Sequence, residues 1–134
     1  MKSLLNLLAF CILFLVCLTS CNKDSYQQSS NEIRTIKFQL YTEQDFSSDS
    51  KNITFTLFIR THESVIFDSV LSTMKIKDIP AFENKLVFEK KIAGVYNSDL
   101  AAGFDYTIEN VGESKYIDTS LAGNPFKLIN FSFR

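Results

Sequence analysis

Apolar and polar residues alternate along most of the chain beyond residue 33, a pattern typical of β-strands that bury one face. The most regular stripe consists of Leu100, Ala102, Phe104, Tyr106 and Ile108. Because a slip of one residue would expose every large apolar group in it, we expect this strand in the middle of its sheet. The other predicted strands cover residues 36–41, 53–60, 65–71, 74–79, 86–92 and 126–133. In the last one the alternation slips at Leu128 and Ile129, which predicts a β-bulge.

Short polar segments separate these strands, for example at residues 47–50, 62–64, 97–99 and 122–125. No amphipathic helical pattern lies between the strands, which favours two packed antiparallel sheets. The predicted fold is an all-β, immunoglobulin-like sandwich of about seven to eight strands over residues 33–134. Of the chain's 13 phenylalanines, the eleven that follow residue 21 supply bulk for its core. An up-and-down barrel with an interior cavity is the alternative fold.

The first residues have the organisation of a secretory signal peptide. Lys2 supplies a positive charge, and an apolar run follows from Leu4 to Leu18. A permanent transmembrane helix needs about 20 apolar residues, so this run is too short to span a bilayer. It predicts a cleavable signal over residues 1–20.

The signal ends in Leu18-Thr19-Ser20-Cys21, which resembles the lipobox of bacterial lipoproteins. The resemblance implies that Cys21 carries diacylglycerol on its sulfur and becomes the first residue after cleavage. The other two of the three cysteines, Cys11 and Cys17, lie within the signal. The mature chain would then have no free thiol, which excludes a disulfide scaffold, a thiolate enzyme and a cysteine-ligated zinc site.

Residues 21–32 are predicted to be the lipidated cysteine and a flexible tether. The stretch from Asn22 to Glu32 has no aliphatic residue and no strand or helix period, so it buries too little apolar area to offset the cost of ordering it. Asn22 differs from the aspartate typical of inner-membrane retention, and Lys23-Asp24 resembles the charged signal that sends Bacteroidota-type lipoproteins to the cell surface. We therefore expect a location in the cell envelope, in the outer membrane on its periplasmic face or at the cell surface.

Charge and composition argue against several functions. The chain has 14 Lys and Arg against 15 Asp and Glu and no basic patch, which argues against nucleic acid as a partner. No glycine-rich phosphate loop occurs among its 4 glycines, and the single histidine, His62, falls beside Glu63 in a predicted turn. There a solvated turn residue is favoured over a catalytic base. We expect a protein that is not an enzyme and has no cofactor and no metal.

Two polar segments carry candidate sites. Asp45, Ser47 and Asp49 are spaced like the first ligands of a calcium loop, but the glycine and glutamate that such a loop needs later are missing, which favours a polar connecting loop. Asp68-Ser69-Val70 resembles the acceptor sequence for O-glycosylation of envelope proteins in Bacteroidota-type bacteria. Ser69 is therefore a candidate modification site, with an ordinary strand residue as the alternative.

The segment Ile79-Pro80-Ala81-Phe82 places large apolar residues at a break between strands, because Pro80 cannot donate to strand pairing. Aromatic anchors supply much of the energy of protein interfaces, so Ile79, Pro80 and Phe82 form a candidate partner-binding loop. In the alternative, Phe82 folds over the edge of the core.

As a whole, the chain resembles the small Bacteroidota-type lipoproteins that combine a lipobox, a short polar tether and one β-sandwich. The resemblance implies a membrane-held protein and no particular activity. Two functions stay open. One is a non-catalytic binding or interaction module with an envelope protein or glycan as partner. The other is a carrier of small hydrophobic ligands with a cavity inside a β-barrel.

Overall fold

A computed structural model describes residues 32–134, in which the regular structure is β-strand apart from two 3₁₀ turns. The signal peptide, Cys21 and the tether as far as Asn31, all predicted from the sequence, lie outside these residues. Within the described part, no helix is long and apolar enough to cross a membrane. The strands are β1 (Ile33–Thr42), β2 (Asn52–Arg60), β3 (Val65–Val70), β4 (Met74–Lys75), β5 (Leu86–Ala93), β6 (Leu100–Ile108), β7 (Gly112–Ser120) and β8 (Phe126–Phe133), and the turns are Ile76–Asp78 and Phe82–Asn84.

The eight strands form two sheets that pack face to face. One sheet has three strands in the order β5-β1-β8. The other has the order β3-β2-β6-β7, and β4 pairs with the start of β2. The two sheets remain separate within residues 32–134, so the predicted all-β sandwich is confirmed in preference to a closed barrel.

One pairing differs from the antiparallel sheets expected from the sequence. β1 and β8 run parallel, with Thr35 opposite Phe126 and Thr42 opposite Phe133, whereas β1 and β5 are antiparallel. The cause is the connection before β8. Residues 121–125 leave β7 at the end of the sandwich where β1 begins, so β8 starts beside the start of β1 and follows its direction.

The facing surfaces of the sheets meet in a core of aromatic rings. Phe104 of β6 lies edge-on to Phe38 of β1 with ring centroids 5.7 Å apart, and its ring is 5.3 Å from that of Phe131 of β8. Both contacts join one sheet to the other. Phe55 of β2 adds a third ring, 6.3 Å from Phe104. These rings fill the centre of the sandwich, as close packing of protein interiors requires.

The stripe around Phe104 has the predicted register and position. β6 lies between β2 and β7, and Leu100, Ala102 and Phe104 are fully buried, whereas Thr107 and Glu109 are exposed. Both neighbouring strands supply backbone partners along its length. The strand is therefore central, as its strict alternation indicates.

Two strands differ from the sequence-based expectation. β7 was not predicted, because it is an edge strand whose side chains are mostly exposed, and it therefore carries no apolar stripe. The strand predicted over residues 74–79 is restricted to the two residues of β4. After Lys75 the chain turns into the 3₁₀ segment Ile76–Asp78, which buries Ile76 without extending the sheet.

The β-bulge predicted at Leu128 and Ile129 was wrong. β8 pairs with β1 in an unbroken register along its whole length. The alternation only looks interrupted because Phe126 and Leu128 face solvent, while Ile129 faces the core. Lys127 lies between the two exposed residues on the inner side, with its Nζ 2.7 Å from Asp118 Oδ2 of β7.

The sandwich has two ends that differ in their connections. The entry end, where β1 begins, carries the turn 61–64 and the loops 94–99 and 121–125. The far end, where β1 finishes, carries the loop 43–51, the segment 71–85 and the turn 109–111. The 10 residues of β1 separate the two ends by roughly 30 Å at about 3.3 Å per residue.

A buried arginine connects two loops of the entry end through hydrogen bonds. Arg34 of β1 is fully buried, and its guanidinium donates to the carbonyl oxygens of Ser98 (2.8 Å), Tyr96 (2.7 Å) and Leu121 (2.9 Å). Burial lowers the pKa of Arg34, and the nearby carboxylate of Asp99 opposes that shift. One charged side chain therefore joins the loop before β6 to the loop before β8.

Candidate binding surface at the far end

The far end carries an open cleft of about 540 Å³. One wall is the chain that follows β1, from Thr42 to Ser47, and the other is the segment from Lys77 to Glu83. The walls are joined by backbone contact, since the Thr42 N–H donates to the Pro80 carbonyl oxygen at 2.9 Å and Thr42 pairs with Ala81 in a parallel bridge. The cleft is therefore part of the folded framework.

The three residues of the candidate partner-binding loop have different environments, and only Ile79 and Phe82 line the cleft. Ile79 is only 5% exposed and belongs to the core, so it anchors the segment. Pro80 is half-buried, and its carbonyl oxygen holds the end of β1. Phe82 is 46% exposed at the rim of the cleft. Of the three, Phe82 presents the largest free apolar surface to a partner.

The Phe82 ring is held in place although it is exposed. It lies edge-on to Tyr41 with centroids 5.0 Å apart, and the Lys85 Nζ is 3.9 Å from its centroid. Aromatic pairing and a cation–π contact each add to apolar burial, so the ring has one preferred position. A prepositioned aromatic ring loses little conformational entropy on binding.

The rim of the cleft is mainly acidic. Glu43, Asp45 and Glu83 line it together with a single lysine, Lys77. The Asp45 carboxylate accepts the Ser47 N–H at 2.9 Å, and this hydrogen bond lowers the pKa of Asp45. The cleft therefore combines carboxylate acceptors with an exposed aromatic ring.

Asp45 and Asp49, whose spacing resembles that of a calcium loop, form turns in the structure. Asp45 Oδ1 accepts from Ser47, and Asp49 Oδ1 accepts the Lys51 N–H at 3.1 Å, both two residues along the chain. Such Asx turns shape the backbone. Among residues 32–134, no group of three or more His, Cys, Asp and Glu side chains is arranged to hold a metal ion.

His62 lies in the turn between β2 and β3 and is exposed. The turn is organised by Thr61, whose Oγ1 accepts the N–H groups of Glu63 (3.2 Å) and Ser64 (3.0 Å). This turn is at the entry end, on the opposite side of the molecule from the cleft. The structure therefore does not bring His62 together with the acidic residues of the rim.

Ser69, the candidate O-glycosylation site, is half-buried in β3. It pairs with Leu57, whose side chain is buried, and paired residues share a face of the sheet. The hydroxyl therefore lies on the inner side, in an open groove of about 390 Å³ between the edge strands β3 and β5. Modification of Ser69 stays a prediction.

Sequence reasoning missed a polar arrangement on the outer face of the larger sheet. Arg60 Nη2 lies 2.7 Å from Asp105 Oδ2, and the Arg60 guanidinium covers the Phe58 ring at 4.3 Å from its centroid. Phe58 is fully buried beneath this cover although it belongs to the solvent side of β2. The only sequence signal for this arrangement is a phenylalanine at an outward position of β2, two residues before an arginine.

Comparisons with protein-family models, with curated proteins and with solved structures find no match for this chain.

Proposed function

We propose that the protein is a non-catalytic interaction module of the bacterial cell envelope, anchored in the outer membrane by lipid on Cys21. The observation that carries this proposal is the position of the far-end cleft. The cleft lies at the end of β1, whereas the chain that comes from Cys21 enters at its start. An anchor at Cys21 would therefore attach the domain by the end opposite the cleft.

The dimensions support this arrangement. The stretch from Asn22 to Glu32 has eleven residues, which reach at most about 40 Å when extended. β1 then adds roughly 30 Å between the entry end and the cleft. A partner in the periplasm or outside the cell would have free access to such a surface.

The chemistry of the cleft supports a protein or glycan partner. Phe82 offers an ordered ring for stacking against a sugar face or for insertion into a protein pocket. Around it, Glu43, Asp45 and Glu83 offer acceptors for hydroxyl, amide or basic groups. Among the described residues, the only histidine stands in the exposed turn at the other end, which favours binding over catalysis.

The packed interior of the sandwich argues against the alternative function, a carrier of small hydrophobic ligands. A carrier needs an enclosed apolar cavity, commonly of about 300 Å³ or more. In residues 32–134 the core positions are occupied by rings in contact, such as Phe104 against Phe38 and Phe131. The clefts described above open to solvent.

Lipid attachment is tested by Cys21→Ser. We expect the variant to remain uncleaved or mislocalised and to take up no labelled fatty acid, because the acylated sulfur is lost. The measurement is metabolic labelling followed by membrane fractionation. Labelling equal to that of the unaltered chain would refute the anchor at Cys21.

The binding surface is tested by photo-crosslinking in intact cells. A benzophenone amino acid at Phe82 reports on the cleft, and the same residue at Ile117 is the control, since these side chains are 46% and 47% exposed. Ile117 lies on β7, away from the cleft. We expect a discrete crosslinked product from position 82 and none from position 117. Equal products from both positions, or none from position 82, would contradict the proposal.

A further inference from the structure

The outer face of the three-stranded sheet has large exposed apolar side chains near the entry end, on β8 and at the start of β1. Phe126 and Leu128 of β8 are 53% and 39% exposed, and Ile33 of β1 is 54% exposed. Thr35 pairs with Phe126, so Ile33, two residues earlier on β1, shares that face. Toward the far end the same face continues with the polar pair Gln39 and Asn130 and with Val87, which pairs with Gln39 on β5 and is 47% exposed.

A fourth large apolar side chain lies at the same end. Leu121 is 59% exposed in the loop 121–125, and its carbonyl oxygen accepts from Arg34 at 2.9 Å. The same loop is attached to β1 again where the Thr35 N–H donates to the Pro125 carbonyl oxygen at 2.8 Å. The position of Leu121 at the entry end is thus set by two hydrogen bonds, although its side chain is free.

From these observations we propose that the patch of Ile33, Leu121, Phe126 and Leu128, the entry-end patch, rests on the lipid bilayer that holds the anchor. This inference depends on the proposed lipidation of Cys21. The chain between Cys21 and Ile33 ends at this patch, so the anchor and the exposed apolar side chains lie at the same end of the molecule.

A patch of four side chains is small for membrane binding by a free protein. The anchor changes this, because it confines the domain to within about 40 Å of the bilayer and makes each contact an intramolecular event. Lysines at the edge of such a patch can extend their ammonium groups to the head-group level. Lys37, which pairs with Leu128 on one side and with Glu89 on the other, has that position. The bilayer contact would also fix the direction in which the far-end cleft points.

The test uses the lipidated full chain, reconstituted in vesicles of phosphatidylethanolamine and phosphatidylglycerol. Since Cys21 is consumed by lipid, a single introduced cysteine carries an environment-sensitive fluorophore. Leu121→Cys probes the entry-end patch and Val111→Cys is the control, because both side chains are well exposed (59% and 66%) and Val111 lies in the far-end turn. Quenching by lipids with a nitroxide on the acyl chain reports contact with the bilayer.

We expect quenching at position 121 to exceed that at position 111 severalfold, and the difference to fall when Phe126→Ser is added. Equal quenching at both positions, in protein that carries labelled fatty acid, would overturn the inference and leave the anchor standing. Protein without labelled fatty acid would instead refute the proposed function. Energy transfer between labels at position 121 of two copies, without lipid quenching, would show that a second copy covers the patch and would also overturn the inference.

Discussion

Replacement of Phe104 by alanine removes a ring through which the two sheets contact each other. Phe104 is fully buried, with Phe38 and Phe131 of the facing sheet and Phe55 of its own sheet around it. Such truncations cost about 3–5 kcal/mol of unfolding free energy, from lost transfer energy and the cavity left behind. The neighbouring rings belong to paired strands and cannot move far into the cavity. We therefore expect a loss in the upper half of that range.

Asp105→Ala is the matched control, one residue along the same strand on the opposite face. It removes the 2.7 Å ion pair with Arg60, whose side chains are both about 40% exposed. Exposed ion pairs contribute roughly 0–1 kcal/mol, since water and salt screen them and the side chains lose entropy on pairing. We expect Asp105→Ala to cost less than about 1 kcal/mol.

The measurement is urea unfolding of both variants, followed by circular dichroism at 25 °C. A domain of this kind has about 5–15 kcal/mol in total, so Phe104→Ala removes a large share of the stability and shifts the midpoint strongly. The slope with urea must stay constant for the two free energies to be compared. Equal losses, or a larger loss for Asp105→Ala, would show that the assigned inward face of β6 is incorrect.

Two further substitutions test close contacts in the same framework. Gly103→Ala should cost at least about 2 kcal/mol of unfolding free energy, because a Cβ at this position would collide with the Tyr116 carbonyl oxygen of β7. An unfolding free energy close to that of the unaltered chain would refute this close approach. Arg34→Met should cost more than about 3 kcal/mol, because it removes three hydrogen bonds from a charged group, each worth about 1.5–3 kcal/mol. It should also speed amide exchange in the loops 94–99 and 121–125. Arg60→Met, which loses an exposed pair, is its control, and similar losses for the two arginines would contradict a special role for Arg34.

Alternation was a reliable guide wherever a strand has one face buried and one face solvated. The inward-facing residues of β6 could be predicted because a period of two residues is a local property of the sequence. That period directly indicates which face of the strand is buried. β7 escaped prediction for the corresponding reason. An edge strand needs few buried side chains, so its sequence need not alternate, and its pairing with β6 depends on backbone hydrogen bonds that any residue except proline can make.

The candidate site was recognised only in part. The sequence places two large apolar residues around Pro80, but it does not say which of them is buried. The fold decides this, because Ile79 follows the turn that returns the chain to the core, whereas Phe82 lies at the rim against Tyr41. The acidic residues opposite Phe82 come from the loop after β1, about forty residues earlier in the chain. No local pattern can bring those two segments together.

The sequence by itself determined the fold class and the inward residues of most strands, because strand periodicity and turn residues act over a few neighbouring positions. Tertiary structure alone decided the parallel pairing of β1 with β8, the burial of Arg34 and the outward position of Phe126 and Leu128. Each of these depends on chain segments far apart in sequence. The partners of Arg34, for example, are carbonyl oxygens 62 to 87 residues away. Because every residue has a carbonyl group, the sequence cannot indicate which ones Arg34 binds.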